Sequence, residues 1–104
     1  MASTKEYLEY VTEQLSLLDE ITYKSMMGEY LIYYRGKLIG GIYDDRFLVK
    51  PNSSALEIVK EPKMEIPYQG AKAMLSVENV DDRDFLKELV TALYKDLPGP
   101  KKRK

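Results

Sequence analysis

Apolar residues near the start of the chain recur at three- and four-residue steps: Tyr7, Leu8, Val11, Leu15 and Leu18, with Lys5, Glu9, Thr12, Glu13 and Ser16 between them. That spacing puts one apolar stripe on a helix and predicts the helix over residues 4–18. Ser3 and Glu6 stand in the S-x-x-E spacing of a capping box, in which a hydroxyl and a carboxylate each satisfy an orphan backbone N–H.

From Ile21 onward the helical period disappears. Ile21-Thr22-Tyr23 and the run from Glu29 to Tyr34 are rich in β-branched and aromatic residues, which suit a pleated surface. Gly28 between them predicts a bulge or tight bend. Arg35-Gly36 predicts a hairpin turn, because the glycine takes the positive φ such a turn needs. A third strand is expected over residues 38–43. Asp44-Asp45 makes a further turn, and residues 46–50 read as a short extension that Pro51 stops. Asn52-Ser53-Ser54 then reads as the N-cap of a two-turn helix bearing Ala55, Leu56, Ile58 and Val59, ended by Pro62. Strands are expected over 64–66 and 71–77. A last helix should open at Asp81 or Asp82, with Leu86, Leu89, Val90, Leu93 and Leu97 as its buried stripe, and end at Pro98-Gly99-Pro100.

The predicted order is α-β-β-β-α-β-β-α: an α+β two-layer sandwich, with an antiparallel sheet covered by helices on one face. At 104 residues the chain has room for a single domain, expected over 1–97 and followed by a disordered basic tail over 98–104.

Composition narrows the chemistry. There is no Cys and no His, which removes disulfides, thiolate nucleophiles, Cys/His zinc sites and imidazole acid–base catalysis. The formal net charge is −1, but Lys101, Lys102, Arg103 and Lys104 supply four of the 16 basic residues; without them 12 face 17 acidic residues, a net of −5. Such a body is a poor general match for a phosphate backbone. No apolar run approaches the ~20 residues of a membrane span, and the N-terminus lacks the form of a signal peptide. A cytoplasmic protein without a membrane partner is expected.

Each chemically suggestive feature also has a plain structural reading. Met26-Met27-Gly28 suits an adaptable binding lip; the structural reading places the two methionines on opposite strand faces, one of them in the core. Tyr30, Tyr33 and Tyr34, near Arg35, Lys37, Arg46 and Lys50, suggest a stacking platform for single-stranded nucleic acid. Tyr30 and Tyr34 nevertheless share one face and Tyr33 takes the other, as packing aromatics do. Asp44-Asp45 with Glu29 suggests a carboxylate site, but Asp-Asp between apolar runs is ordinary turn chemistry, and the ligand clustering a hard cation needs is missing. Gly40-Gly41 lacks the context of a phosphate loop and is expected to let a covering helix approach. No cofactor, metal or catalytic residue is assigned.

The segment from Met26 to Lys50 resembles the signature of the TfoX (Sxy) N-terminal domain family. That family reads Met-Phe-Gly, a strand ending near an aromatic, a turn glycine and an apolar strand. Met26 and Gly28 match the opening triplet, Met27 stands where Phe is usual, Gly36 matches the hairpin glycine, and residues 45–50 look like the Asp-Arg-x-x-x-Lys stretch. The resemblance implies a fold similar to secretion chaperones and a link to regulators of natural competence, whose second, helical domain is expected to be absent here. Met26, Met27, Gly28, Tyr30, Gly36, Lys37 and Gly40 are the signature positions, taken as mainly structural. The leading expectation is a non-enzymatic module acting through a protein partner or self-association. The alternative is a small nucleic-acid-binding protein using the strand tyrosines and Lys101, Lys102, Arg103 and Lys104. A third reading places a small ligand under the helices.

Overall fold

The computed structural model describes residues 4–59 and 61–97. Helix α1 spans Lys5–Gln14. Thr4, not Ser3, is its N-cap: the Thr4 side chain accepts from the Tyr7 N–H at 3.2 Å, while Ser3 lies outside the described residues. The helix also ends four residues before the predicted boundary. Tighter turns follow, with Ser16 N–H donating to Glu13 O and Leu18 N–H to Leu15 O. They keep Leu15 and Leu18 buried with Leu8 and Val11 while the chain reverses through Glu20, whose φ is +58°. The apolar spacing therefore survives the end of the helix.

Four strands follow as a meander: β1 (Ile21–Met26), β2 (Glu29–Tyr34), β3 (Lys37–Ile42) and β4 (Phe47–Val49). The expected extension at 46–50 is thus a strand in its own right. Each connection contains a pair of residues with positive φ: Met27 and Gly28 (51° and 86°), Arg35 and Gly36 (53° and 84°), Asp44 and Asp45 (54° and 57°). Turns of this hand match the natural twist of paired strands. Asp tolerates the left-handed region better than most residues, which is how the third turn dispenses with glycine.

Helix α2 (Ser53–Ile58) begins at Asn52, whose side chain accepts from the Ala55 N–H at 3.0 Å. Strands β5 (Met64–Glu65) and β6 (Met74–Ser76) complete an antiparallel six-stranded sheet of order β1-β2-β3-β4-β6-β5. The strand expected over 71–77 is shorter, because residues 66–73 form a loop with a turn at Gly70 (φ 91°). Helix α3 (Arg83–Asp96) is capped by Asp82, which accepts from the Phe85 N–H at 3.0 Å.

One core joins the layers. Leu8, Val11, Leu15 and Leu18, Ala55, and Leu86, Leu89, Val90 and Leu93 pack with Ile32, Tyr34, Ile39, Ile42, Phe47, Val49 and Leu75 of the sheet and with Val77 just after β6. The predicted two-layer α+β architecture is the observed one. Leu97, expected at the end of the buried α3 stripe, is only partly buried against the core.

Candidate interaction surface

The signature residues divide by what they touch. A Cβ on Gly36 would meet no atom within 4 Å, so what the position demands is its φ of +84° and not space. Lys37 reaches from the start of β3 to the end of α3. Its Nζ donates to Tyr94 O at 3.2 Å and Leu97 O at 3.0 Å and lies 4.0 Å from the Tyr94 ring centroid. A cation thereby bonds carbonyls of the helix end, where the helix dipole favours it; Tyr94 O also accepts from the Leu97 N–H at 3.3 Å. Tyr30 packs against the core and meets Tyr23 edge-on, with ring centroids 6.0 Å apart.

Gly40 corrects the expectation of close helix approach. The β2–β3 register shifts at Ile32/Tyr33, so Ile39 and Gly40 fall together opposite Ile32 on the helix-facing side. A Cβ on Gly40 would collide with the β4 backbone at Leu48 O and Val49 Cα, and one on Gly41 would meet Tyr30 O and the Tyr43 ring. A bulge that squeezes its second residue against the next strand is what excludes a side chain here.

The Met26-Met27 pair is a second correction. Neither residue is in the core: Met26 is 37% exposed at the end of β1, and Met27 is 95% exposed in the turn itself. A left-handed turn residue at a hairpin tip has no sheet face to occupy, so strand alternation does not apply to it.

The side of the sheet away from the helices is only half covered. Register places Leu31, Gly41, Leu48 and Ser76 in one row across it, with Tyr33 and Leu38 opposite each other in the next. Over β4 and β6 this face is closed. Leu48 is fully buried, and Tyr43 is 5% exposed with its ring 6.0 Å from Tyr68 of the 66–73 loop. Arg46 holds that loop, pairing with Glu65 and donating to Ile66 O and Pro67 O at 3.4 Å each. Burial, then the neighbouring Tyr68, Glu29 and Tyr33, push the Tyr43 hydroxyl pKa above its usual value. Over β1–β3 the face is open: Leu31, Tyr33 and Leu38 are only half-buried and Thr22, Lys24 and Met26 are exposed.

A family model for the TfoX N-terminal domain matches residues 13–96, a span that contains the whole meander, the 66–73 loop and all of α3. The chain belongs to the TfoX N-terminal domain family. A relative from Spirochaeta aurantia, described as an uncharacterized 12.7 kDa protein in the trpE 5′ region, is 30% identical over 105 residues, covering all of this chain and 91% of the relative. No solved structure matches the chain.

Within this TfoX N-terminal domain the charged candidates are mostly engaged in holding the fold. Asp45 accepts from Thr4 N–H at 2.8 Å and Thr4 Oγ1 at 3.2 Å, and the Asp44 N–H donates to Glu29 Oε1 at 3.1 Å. Among the described residues no group of three His, Cys, Asp or Glu could hold a metal ion, and no helix is long and apolar enough to cross a membrane. Tyr34 is 8% exposed and meets Tyr94 edge-on at 5.2 Å, so it offers no stacking face. Lys101, Lys102, Arg103 and Lys104 lie outside the described residues. A groove of about 550 Å³ has Ile58, Val59, Val77 and Phe85 among its lining, and Lys63 and Glu78 at its rim pair with each other at 3.4 Å.

Sequence reasoning missed the open half-face itself. Alternation gives the sides of Tyr30, Tyr33 and Tyr34 correctly, but only the position of the 66–73 loop decides which part of the outer side stays uncovered.

Proposed function

We propose that this TfoX N-terminal domain is a non-enzymatic docking module, similar to the N-terminal domain of competence regulators, which binds a protein partner on the open half of its sheet. The observation that carries this reading is the half-buried apolar patch of Leu31, Tyr33 and Leu38, flanked by exposed Met26 and by Met27 at the hairpin tip. Tyr and Met are enriched where protein surfaces meet, and this patch has an apolar centre with polar neighbours. The nucleic-acid alternative is less well supported. Near the strand tyrosines, Lys37 is committed to α3 and Arg46 to the 66–73 loop.

A photo-crosslinking residue at position 33, compared in cells with one at Leu56 on α2, tests the reading. The expected result is a discrete protein adduct from position 33 that disappears on Leu31→Asp, with none from position 56. Adducts to nucleic acid, or equal labelling from both positions, would refute it.

A further inference from the structure

The two edges of the sheet are not alike. β5 is two residues long, lies between Pro62 and Pro67, and follows Lys63, which is paired with Glu78. Those are the usual protections of an edge. β1 is neither short nor flanked by proline, and its one charged side chain is Lys24. It is six residues long, carries no proline, pairs with β2 in unbroken register from Ile21↔Tyr34 to Met26↔Glu29, and is exposed at every residue but Ile21. The two-residue turn closes on Met26 and Glu29, and in such a hairpin the closing pair is hydrogen-bonded. Alternation then directs the backbone groups of Met26, Lys24 and Thr22 towards β2 and those of Ile21, Tyr23 and Ser25 to the open side.

We propose that β1 pairs antiparallel with β1 of a second copy, about a two-fold axis through Thr22, joining two six-stranded sheets into one. The side chains select both partner and register. A pairing centred on Lys24 would set two lysines face to face, and one centred on Tyr23 leaves Lys24 opposite Thr22. Centring on Thr22 instead places Thr22 opposite Thr22 and Tyr23 opposite Ile21, and brings Lys24 in both directions beside Glu20, the left-handed bend residue that immediately precedes the strand. Hydroxyl–hydroxyl, aromatic–β-branched and opposite-charge pairs are the combinations that stabilise neighbouring strands. Lys24 and Glu20 are both exposed, and neither belongs to an ion pair among the described residues. The strand is therefore complementary to itself in charge as well as in backbone.

A single short strand gives an interface at the small end of the range, so dimerisation is expected at roughly micromolar to sub-millimolar concentration. Analytical ultracentrifugation of the full chain should show a concentration-dependent dimer. Lys24→Glu and Glu20→Lys should each weaken it by at least about tenfold, since each sets like charges opposite one another twice. An equimolar mixture of the two variants should restore a dimer, because in the mixed pair each contact between positions 20 and 24 again joins a lysine to a glutamate. The protein has no cysteine of its own, so register can be read directly. Under oxidised glutathione, which takes up the two electrons, Thr22→Cys should form a symmetric disulfide at least about tenfold faster than Ser25→Cys, as directly opposed residues lie within disulfide reach. A wild-type protein still monomeric at a few hundred micromolar (about the top of that range), single variants that associate as wild type does, or faster cross-linking at Ser25 would each overturn the proposal. Thr22 and Lys24 lie on the open face opposite Tyr33 and Leu31, but dimerisation is read on the purified chain with no partner present, so a Leu31→Asp protein that loses its partner yet still dimerises would separate this inference from the docking reading.

Discussion

The two halves of the sheet's outer side are built from the same alternation, yet one is closed and the other open. Over β4 and β6, Leu48 and Tyr43 are buried beside a loop that Arg46 ties down through Glu65, Ile66 O and Pro67 O. Over β1–β3, Leu31, Tyr33 and Leu38 have no such cover from the described residues and remain half-exposed. Apolar character therefore does not distinguish the two halves; a single cation that anchors a loop does. A surface left open beside one so closed is where an external partner would replace the missing cover.

The largest effect is expected at the bulge that both halves share. Gly40→Val drives a side chain into the β4 backbone and should destabilise by about 3 kcal/mol or more, as a collapsed urea midpoint or failure to fold would show. Next is the closed half. Arg46→Ala removes the ion pair, both loop carbonyl contacts and the Nε bond to Tyr43 O at 3.1 Å at once; since Arg46 and Glu65 are each about one-third exposed, screening reduces the pair's share and the total should be about 1–2 kcal/mol. Hydrogen exchange should then quicken in residues 66–73 while β1–β3 exchange as before. If β1–β3 loosened equally, Arg46 would not be what separates the halves.

The helix layer supplies a pH-dependent contrast. The Asp96 carboxylate accepts from Ser54 Oγ at 2.6 Å, Ser54 N–H at 3.1 Å and Ser53 Oγ at 3.3 Å, and the Ser54 side-chain bond leads the others in holding its pKa below the ordinary 3.8. A folded-state pKa below the unfolded one contributes stability that is complete above the unfolded value and lost as pH falls through the folded one. Wild type should thus exceed Asp96→Asn in urea midpoint at about pH 6, and the gap should close towards about pH 3. Cross-linking from position 33 should be unchanged in that variant at neutral pH. The smallest effect is at the tip of the open half: Met27→Asp should leave the melting midpoint within about 0.5 kcal/mol of wild type, because an exposed turn carboxylate carries no burial cost. A severe loss of stability there would return Met27 to the core.

Much of this is legible without coordinates. The α1 and α3 stripes, the Asn52 and Asp82 caps and the turns at Gly36 and Asp44-Asp45 follow from local rules that the structure obeys. The misreadings share a physical cause: each depends on what a neighbouring segment does. Two apolar residues before a glycine look like a strand end, whereas the left-handed pair takes Met27 out of the sheet. Small residues such as Gly40 invite a helix contact, but the tight neighbour is β4, brought close by a bulge that no local pattern announces. Residues 71–73 carry strand-like spacing, yet the backbone there belongs to the loop that follows Arg46's contacts at 65–67.

The three tight turns have a consequence for the order in which the molecule assembles. They make the first four strands a run of nearest-neighbour pairings, with little loop entropy to overcome before each forms. During synthesis the meander can zip up as soon as β4 is available, well before α3 exists. At that stage α1 has been made, but Ile32, Ile39, Ile42 and Phe47 line a four-stranded sheet that still lacks β6, β5 and the α3 part of its helical cover. The most hazardous moment in the life of this protein is therefore not unfolding but the interval before its last helix arrives, when slow translation beyond residue 50 would favour aggregation and a holdase would matter most.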